Sequence, residues 1–145
     1  MTILTGVKNS LFFRRSTQVK KKNHFEDDLQ VQCVRWFDLQ YPKLDLFHIP
    51  NGGSRNRKIS KKGVVYSPEA TRFKAMGVRA GVLDLFLMEP RGGYHGLWIE
   101  MKWGDNTWTD SQIAFGERAK RKNYKVEECR SFEKFKIIIE EYLKL

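Results

Sequence analysis

Gly81-Val82-Leu83-Asp84, answered sixteen residues after the aspartate by Glu100-Met101-Lys102, is the stretch from which the rest of this chain can be read. Side chains alternate faces along a strand. In Leu97-Trp98-Ile99-Glu100-Met101-Lys102 the carboxylate and the lysine therefore point one way, and Leu97, Ile99 and Met101 point the other, towards a core. Asp84 sits within a second apolar run, Val82 to Met88, read as a strand. A carboxylate in so apolar a strand costs free energy unless a cation or hydrogen bonds compensate it. Two converging carboxylates repel each other, and a divalent cation relieves that repulsion. A lysine on the same face, one residue beyond the second acid, is placed to hold or activate a water beside the ion. Taken alone, these three residues fit a surface ion pair at least as well. The context favours a site: both acids lie on short hydrophobic segments joined by a Gly-Gly turn at Pro90-Arg91-Gly92-Gly93, as a core hairpin would place them.

A chain of 145 residues is read as one domain with a single core. Its formal net charge of +10 draws polyanions, either nucleic acid or an anionic membrane surface. No stretch approaches the roughly 20 apolar residues of a membrane span. The apolar run near the start is too short for a secretory signal. Cys33 and Cys129 are expected as buried thiols in a reducing, cytoplasmic compartment, and no Cys/His cluster has zinc spacing. The small size suggests a phage or mobile-element protein, in which case the compartment is the host's cytoplasm.

Residues 1–22 are expected to form a basic, partly disordered tail, and residues 23–145 the folded domain. A helix is predicted from about Asn23 to Tyr41-Pro42, with Glu26 as a capping-box acid and Phe25, Leu29, Cys33 and Trp36 as its apolar stripe. Leu44 to Ile49 reads as the first strand, stopped by Pro50-Asn51-Gly52-Gly53. From Ser54 to Arg79 there are eight Lys or Arg against one acid, Glu69. The first part of that segment, Arg55 to Gly63, lacks apolar periodicity and is expected to be a loop. The second is a short helix, with Ser67 as N-cap, Pro68 at its first position and Gly77 as its stop. Such a basic segment beside acidic strands suits a phosphate-chain substrate, which metal carboxylates alone would repel.

After the hairpin, Thr109 or Asp110 is predicted to cap a helix with Gln112 at the capping-box position, and Trp108, Gln112, Phe115 and Ala119 on one stripe. Tyr124 to Cys129 is a last strand. Ser131 caps a final helix burying Phe135, Ile138, Ile139, Tyr142 and Leu143. The alternation of helices and strands predicts a mixed sheet flanked by helices, α/β or α+β.

These pieces, in this order, resemble a stand-alone VRR-NUC domain of the PD-(D/E)xK nuclease superfamily, with its restriction-endonuclease-like core. The resemblance runs from about Glu26 to Leu143. It is carried by Glu26-x-x-x-Gln30, by His48-Ile49-Pro50-Asn51-Gly52-Gly53, and by Ala70-x-Arg72-Phe73-Lys74-x-x-Gly77-Val78-x-x-Gly81. Asp84-Leu85, Glu100-x-Lys102 and Thr109-Asp110-Ser111-Gln112 complete it. One departure stands out: Leu83 occupies the place of the family's usual proline.

The resemblance implies roles. Asp84, Glu100 and the Met101 carbonyl would bind Mg²⁺ or Mn²⁺, and Lys102 would orient or deprotonate the attacking water. Glu26 would hold a metal water or a second ion, and Gln112 would sit at the site's edge. For Glu26 and Gln112 the residues themselves point only to caps. Asn51, Arg55, Arg57, Lys58, Lys61, Lys62, Arg72 and Lys74 would meet the DNA backbone without reading bases. The expected activity is metal-dependent hydrolysis of DNA, with branched, flapped or Holliday-junction structures as substrates in replication, repair or recombination. A junction's two-fold symmetry suits a homodimer. The competing reading is a non-catalytic nucleic-acid-binding module that keeps the fold. A third, a membrane-surface or ribosome-associated basic protein, lacks a basic amphipathic helix with a wide apolar face.

Overall fold

Strand β5, Leu97–Met101, shows how alternation becomes layering. Leu97, Ile99 and Met101 are fully buried on one face, against Leu85 and Leu87 of strand β4 (Leu85–Leu87) and the helices α1 (Phe25–Gln40) and α4 (Phe132–Leu143). On the other face Trp98 meets Phe86 and Phe115, the latter from helix α3 (Asp110–Arg121). The computed structural model describes residues 25–50, 58–60, 63 and 65–145. It has three layers: α1 and α4, a four-stranded sheet, and α3. The sheet order is β1-β4-β5-β6, where β1 is Leu46–His48 and β6 is Lys125–Cys129. β1, β4 and β5 are antiparallel neighbours, and β6 joins β5 in parallel after the α3 crossover, so the sheet is mixed as expected.

Local chemistry explains the elements. Leu29, Cys33 and Phe37 recur every fourth residue of α1 and are its buried row. Phe37 takes the core position expected of Trp36. Trp36 lies at the edge of the stripe, against Tyr41, Phe132 and Phe135. Each fully buried Leu, Ile or Phe contributes roughly 1.5–3 kcal/mol relative to exposure. The β4–β5 hairpin closes on Gly92 and Gly93, both at positive φ, with Arg91 and Tyr94 exchanging backbone hydrogen bonds across the turn. Cys33 and Cys129 are both free and buried. Leu83, where the family places proline, is fully buried and adds to the core.

Helix α2 (Pro68–Ala75) starts at Ser67, whose hydroxyl accepts from the Ala70 N–H, and Gly77 lies just beyond its end with φ +103°. The stretch read as a loop from Arg55 to Gly63 contains a strand. β2 (Lys58–Ile59) pairs with β3 (Val65–Tyr66) in a separate two-stranded ladder. Two residues per strand are too few for periodicity to reveal. The first strand, Leu46–His48, is also shorter than the Leu44-to-Ile49 run that suggested it, since Leu44 packs against the core from a bend and Ile49 lies beyond the strand's end. The basic tail expected over residues 1–22 lies outside the described residues.

Candidate active site

Three elements bring the predicted acids together. Leu85 pairs with Ile99, so one further step along each strand brings Asp84 opposite Glu100. Asp84 is not inside a strand, as the apolar run suggested. It sits at the bend where the chain enters β4. Its backbone carbonyl still accepts from the Ile49 N–H at 2.8 Å, and its side-chain Oδ2 accepts from the Met101 N–H at 2.9 Å. The side chain thus occupies a place in the ladder that a backbone carbonyl would otherwise fill.

Glu100 and Lys102 share a face, and they are not a surface pair. Glu100 is fully buried and Lys102 is 6% exposed. Lys102 Nζ donates to Glu100 Oε1 at 2.6 Å and to Gln112 Oε1 at 3.3 Å. The Gln112 amide Nε2 also donates to Glu100 Oε1. Both bonds to Glu100 fall on one carboxylate oxygen. The other, Oε2, is buried with no hydrogen-bond partner. A buried anionic oxygen left unpaired is costly.

The electrostatics follow. Burial pushes Glu100 up to about 7, against the Lys102 hydrogen bond, with the Asp84 charge adding to the rise. Burial also raises Asp84, opposed by the Met101 N–H and the Lys102 charge. Glu26, half-buried on the first turn of α1, adds negative potential at both acids, and His48 counters it at Asp84.

Gln112 reconciles two expectations. Its Oε1 accepts from the Thr109 N–H while its own N–H donates to the Thr109 hydroxyl, a complete capping box, and its Nε2 reaches Glu100. The cap lies at the site's edge because Gly81 lets the chain before Asp84 press against α3. Gly81 has φ +80°, and a Cβ there would stand 2.4 Å from the Ser111 backbone.

The basic residues are less gathered. Arg72 and Lys74 are exposed on α2. Lys58 is placed by its backbone, in β2. Asn51, Arg55, Arg57, Lys61 and Lys62 lie outside the described residues. Three neighbours of the acids were not read as site residues from the sequence. His48 Nδ1 is 2.9 Å from the Asp84 carbonyl oxygen. Phe25 and Trp103 stack beside Glu26 and Lys102. For His48 the signal was its place in the His48-to-Gly53 segment. For the aromatic pair there was none, since the contact joins distant parts of the chain.

Among the described residues no three His, Cys, Asp or Glu side chains converge as a ready-made metal cage. The residues present nonetheless fit a hard divalent ion. Such an ion binds through one or two carboxylates and keeps its other positions for water and substrate phosphate. Asp84 and Glu100 supply the two carboxylates, and the unpartnered Glu100 Oε2 is the oxygen a cation would satisfy.

A mixed sheet between helix layers, with an aspartate at the mouth of one strand and Glu-x-Lys on the next, is the arrangement of the restriction-endonuclease-like nucleases. A solved structure described as a VRR_NUC domain protein matches with a TM-score of 0.65 and 30% identity, over 86% of this chain and 93% of that one. The chain belongs to the VRR-NUC family, a family of nuclease domains. No family model matches the sequence, and neither does any curated protein. Among the described residues no helix is long and apolar enough to cross a membrane.

Proposed function

We propose that this chain is a metal-dependent endonuclease that hydrolyses DNA phosphodiester bonds at branched, flapped or junction structures. The observation that carries the reading is Glu100: a fully buried carboxylate with one oxygen taken by Lys102 and Gln112 and the other unpartnered, set opposite Asp84. A chain selected only to bind nucleic acid has no use for that buried charge, which works against the fold. Asp84, Glu100 and the Met101 carbonyl would hold Mg²⁺ or Mn²⁺, and Glu26, whose charge acts on both acids, would hold an associated water. When bound, the ion supplies Lewis acidity and neutralises charge developing on the phosphate.

Lys102 handles the nucleophile. An ammonium has three N–H donors. Glu100 and Gln112 take two of them, and the third holds a water in line with the scissile bond. Glu100 fixes the lysine's position, and Gln112 fixes Glu100. The basic segment and α2, through Arg55, Arg57, Lys61, Lys62, Arg72 and Lys74, hold the flanking phosphates. The formal charge of +10 supports a polyanionic substrate, and two such sites in a homodimer would suit a symmetric junction. Incubating the protein with labelled linear, flapped and four-way DNA, in Mg²⁺ and in EDTA, tests the reading. Mg²⁺-dependent cleavage of the branched DNAs is expected. Binding without cleavage in either condition would leave the binding-module reading instead.

A further inference from the structure

Beside the acids stands a feature the mechanism does not use. Phe25 and Trp103 stack with ring centroids 5.2 Å apart and planes 25° from parallel. Both remain open to solvent, Phe25 at 48% and Trp103 at 44% exposed. Of the four tryptophans, Trp36, Trp98 and Trp108 are half-buried and Trp103 alone is exposed. Two large rings that met only to exclude water would be expected to bury their outer surfaces as well.

Their position and bracing point to a ligand. Phe25 immediately precedes Glu26, whose charge is felt at Asp84 and Glu100, and Trp103 immediately follows Lys102. The turn after Trp103 is held in place: Arg130 donates from Nη1 to the Gly104 carbonyl at 2.7 Å and from Nη2 to the Asn106 carbonyl at 2.9 Å. Trp108 closes the same loop by donating to Glu128. Trp103 is therefore presented from a fixed loop, with Phe25 stacked on it from the start of α1, at the rim of an acidic cluster in a protein of strong positive charge.

We infer that Phe25 and Trp103 form a stacking shelf for one unpaired nucleobase, and that this shelf selects DNA with a single-stranded segment beside the scissile phosphate. The inference rests on the nuclease reading above and names its substrate class. Each ring covers one face of the other, so a third planar ring can continue the column. Within a duplex each base already has both faces covered by its neighbours. Away from duplex ends, only an unpaired base can turn a face outwards to an aromatic side chain. Such stacking tolerates any base, because every base has a π-face. The shelf therefore selects strand state and not sequence.

The test uses the full chain in EDTA at fixed salt, so that binding is measured without cleavage. Fluorescence anisotropy compares a flap carrying a single-stranded arm with a fully paired duplex of equal length. Trp103→Ala is expected to weaken flap binding at least about fivefold, the low end for losing one stacked base, and to leave duplex binding unchanged. Trp103→Phe, which keeps a ring, is expected to retain most of the flap affinity. Equal weakening on both DNAs, or none on either, overturns the shelf. If Trp103→Ala does not fold, Phe25→Ala at the more exposed ring carries the same comparison. Cleavage in Mg²⁺ by the wild type and by Asp84→Asn judges the nuclease reading separately. A protein that prefers the flap through Trp103 without cutting it supports the shelf and retires the nuclease.

Discussion

Glu100→Gln provides a test of the buried carboxylate that needs no substrate. The fold raises Glu100 from 4.5 to about 7, chiefly by burial. The native state thus holds this proton more tightly than the unfolded chain does. The sign follows by linkage: stability falls as pH rises above the unfolded value, and the loss is complete once pH exceeds the folded value. At about 1.4 kcal/mol per pH unit, the interval corresponds to about 3 kcal/mol in metal-free protein. Domains of this size are stable by only about 5–15 kcal/mol, so the effect should be plain. Asp84 is raised too, which adds a contribution of the same sign. Urea unfolding in EDTA from pH 4.5 to 8.5 is the assay. The wild type should lose up to about 3 kcal/mol more than Glu100→Gln across that range, since glutamine keeps an oxygen for Lys102 and carries no charge. At pH 8, Mg²⁺ or Mn²⁺ at about a hundred times its Kd should return about 2.7 kcal/mol to the wild type, and much less to the variant. Parallel pH profiles for the two proteins would refute the argument that Glu100 is held against its own ionisation.

Asp84→Asn and Glu100→Gln should each abolish Mg²⁺- or Mn²⁺-dependent cleavage while sparing DNA binding, read from gel cleavage and anisotropy on the same preparations. Lys102→Ala should cut single-turnover cleavage by about 10²–10⁴-fold and leave Mn²⁺ affinity by calorimetry intact or raised, because it removes a nearby positive charge. Loss of the metal along with the activity would withdraw Lys102 from the water. Replacing Arg55, Arg57, Lys61 and Lys62 with alanine should flatten the salt dependence of duplex binding by a log–log slope of about 0.9 per lost phosphate contact. An unchanged slope would turn that segment away from the substrate. Gly81→Ala should destabilise the fold by more than about 1 kcal/mol, measured by chemical denaturation, because its φ of +80° and the Ser111 backbone leave no room for a Cβ. An undiminished midpoint would mean the two segments are not pressed together.

The central hairpin was legible because period two is a strong signal. Leu97, Ile99 and Met101 had to share a face, so Glu100 and Lys102 had to share the other. Helices α2, α3 and α4 were legible from their caps, Ser67, Thr109 and Ser131. The depth of Lys102 was not. Its burial depends on where β5 lies in the sheet order, between β4 and β6, and strand order is not a local property. Asp84 was misjudged by one residue, since an apolar run does not mark where pairing begins. The β2–β3 pair was too short to leave a pattern. The Phe25–Trp103 stack joins the first residue of one helix to a loop beyond the central strand, and periodicity within one segment carries no information about such a meeting.

Gln112 closes the first turn of α3 and also holds Glu100. A chain in which that turn is still open lacks one of the two donors on the carboxylate. Closing the first turn of α3 therefore also sets one donor of the site. One amide thereby ties the state of α3 to the state of the buried carboxylate.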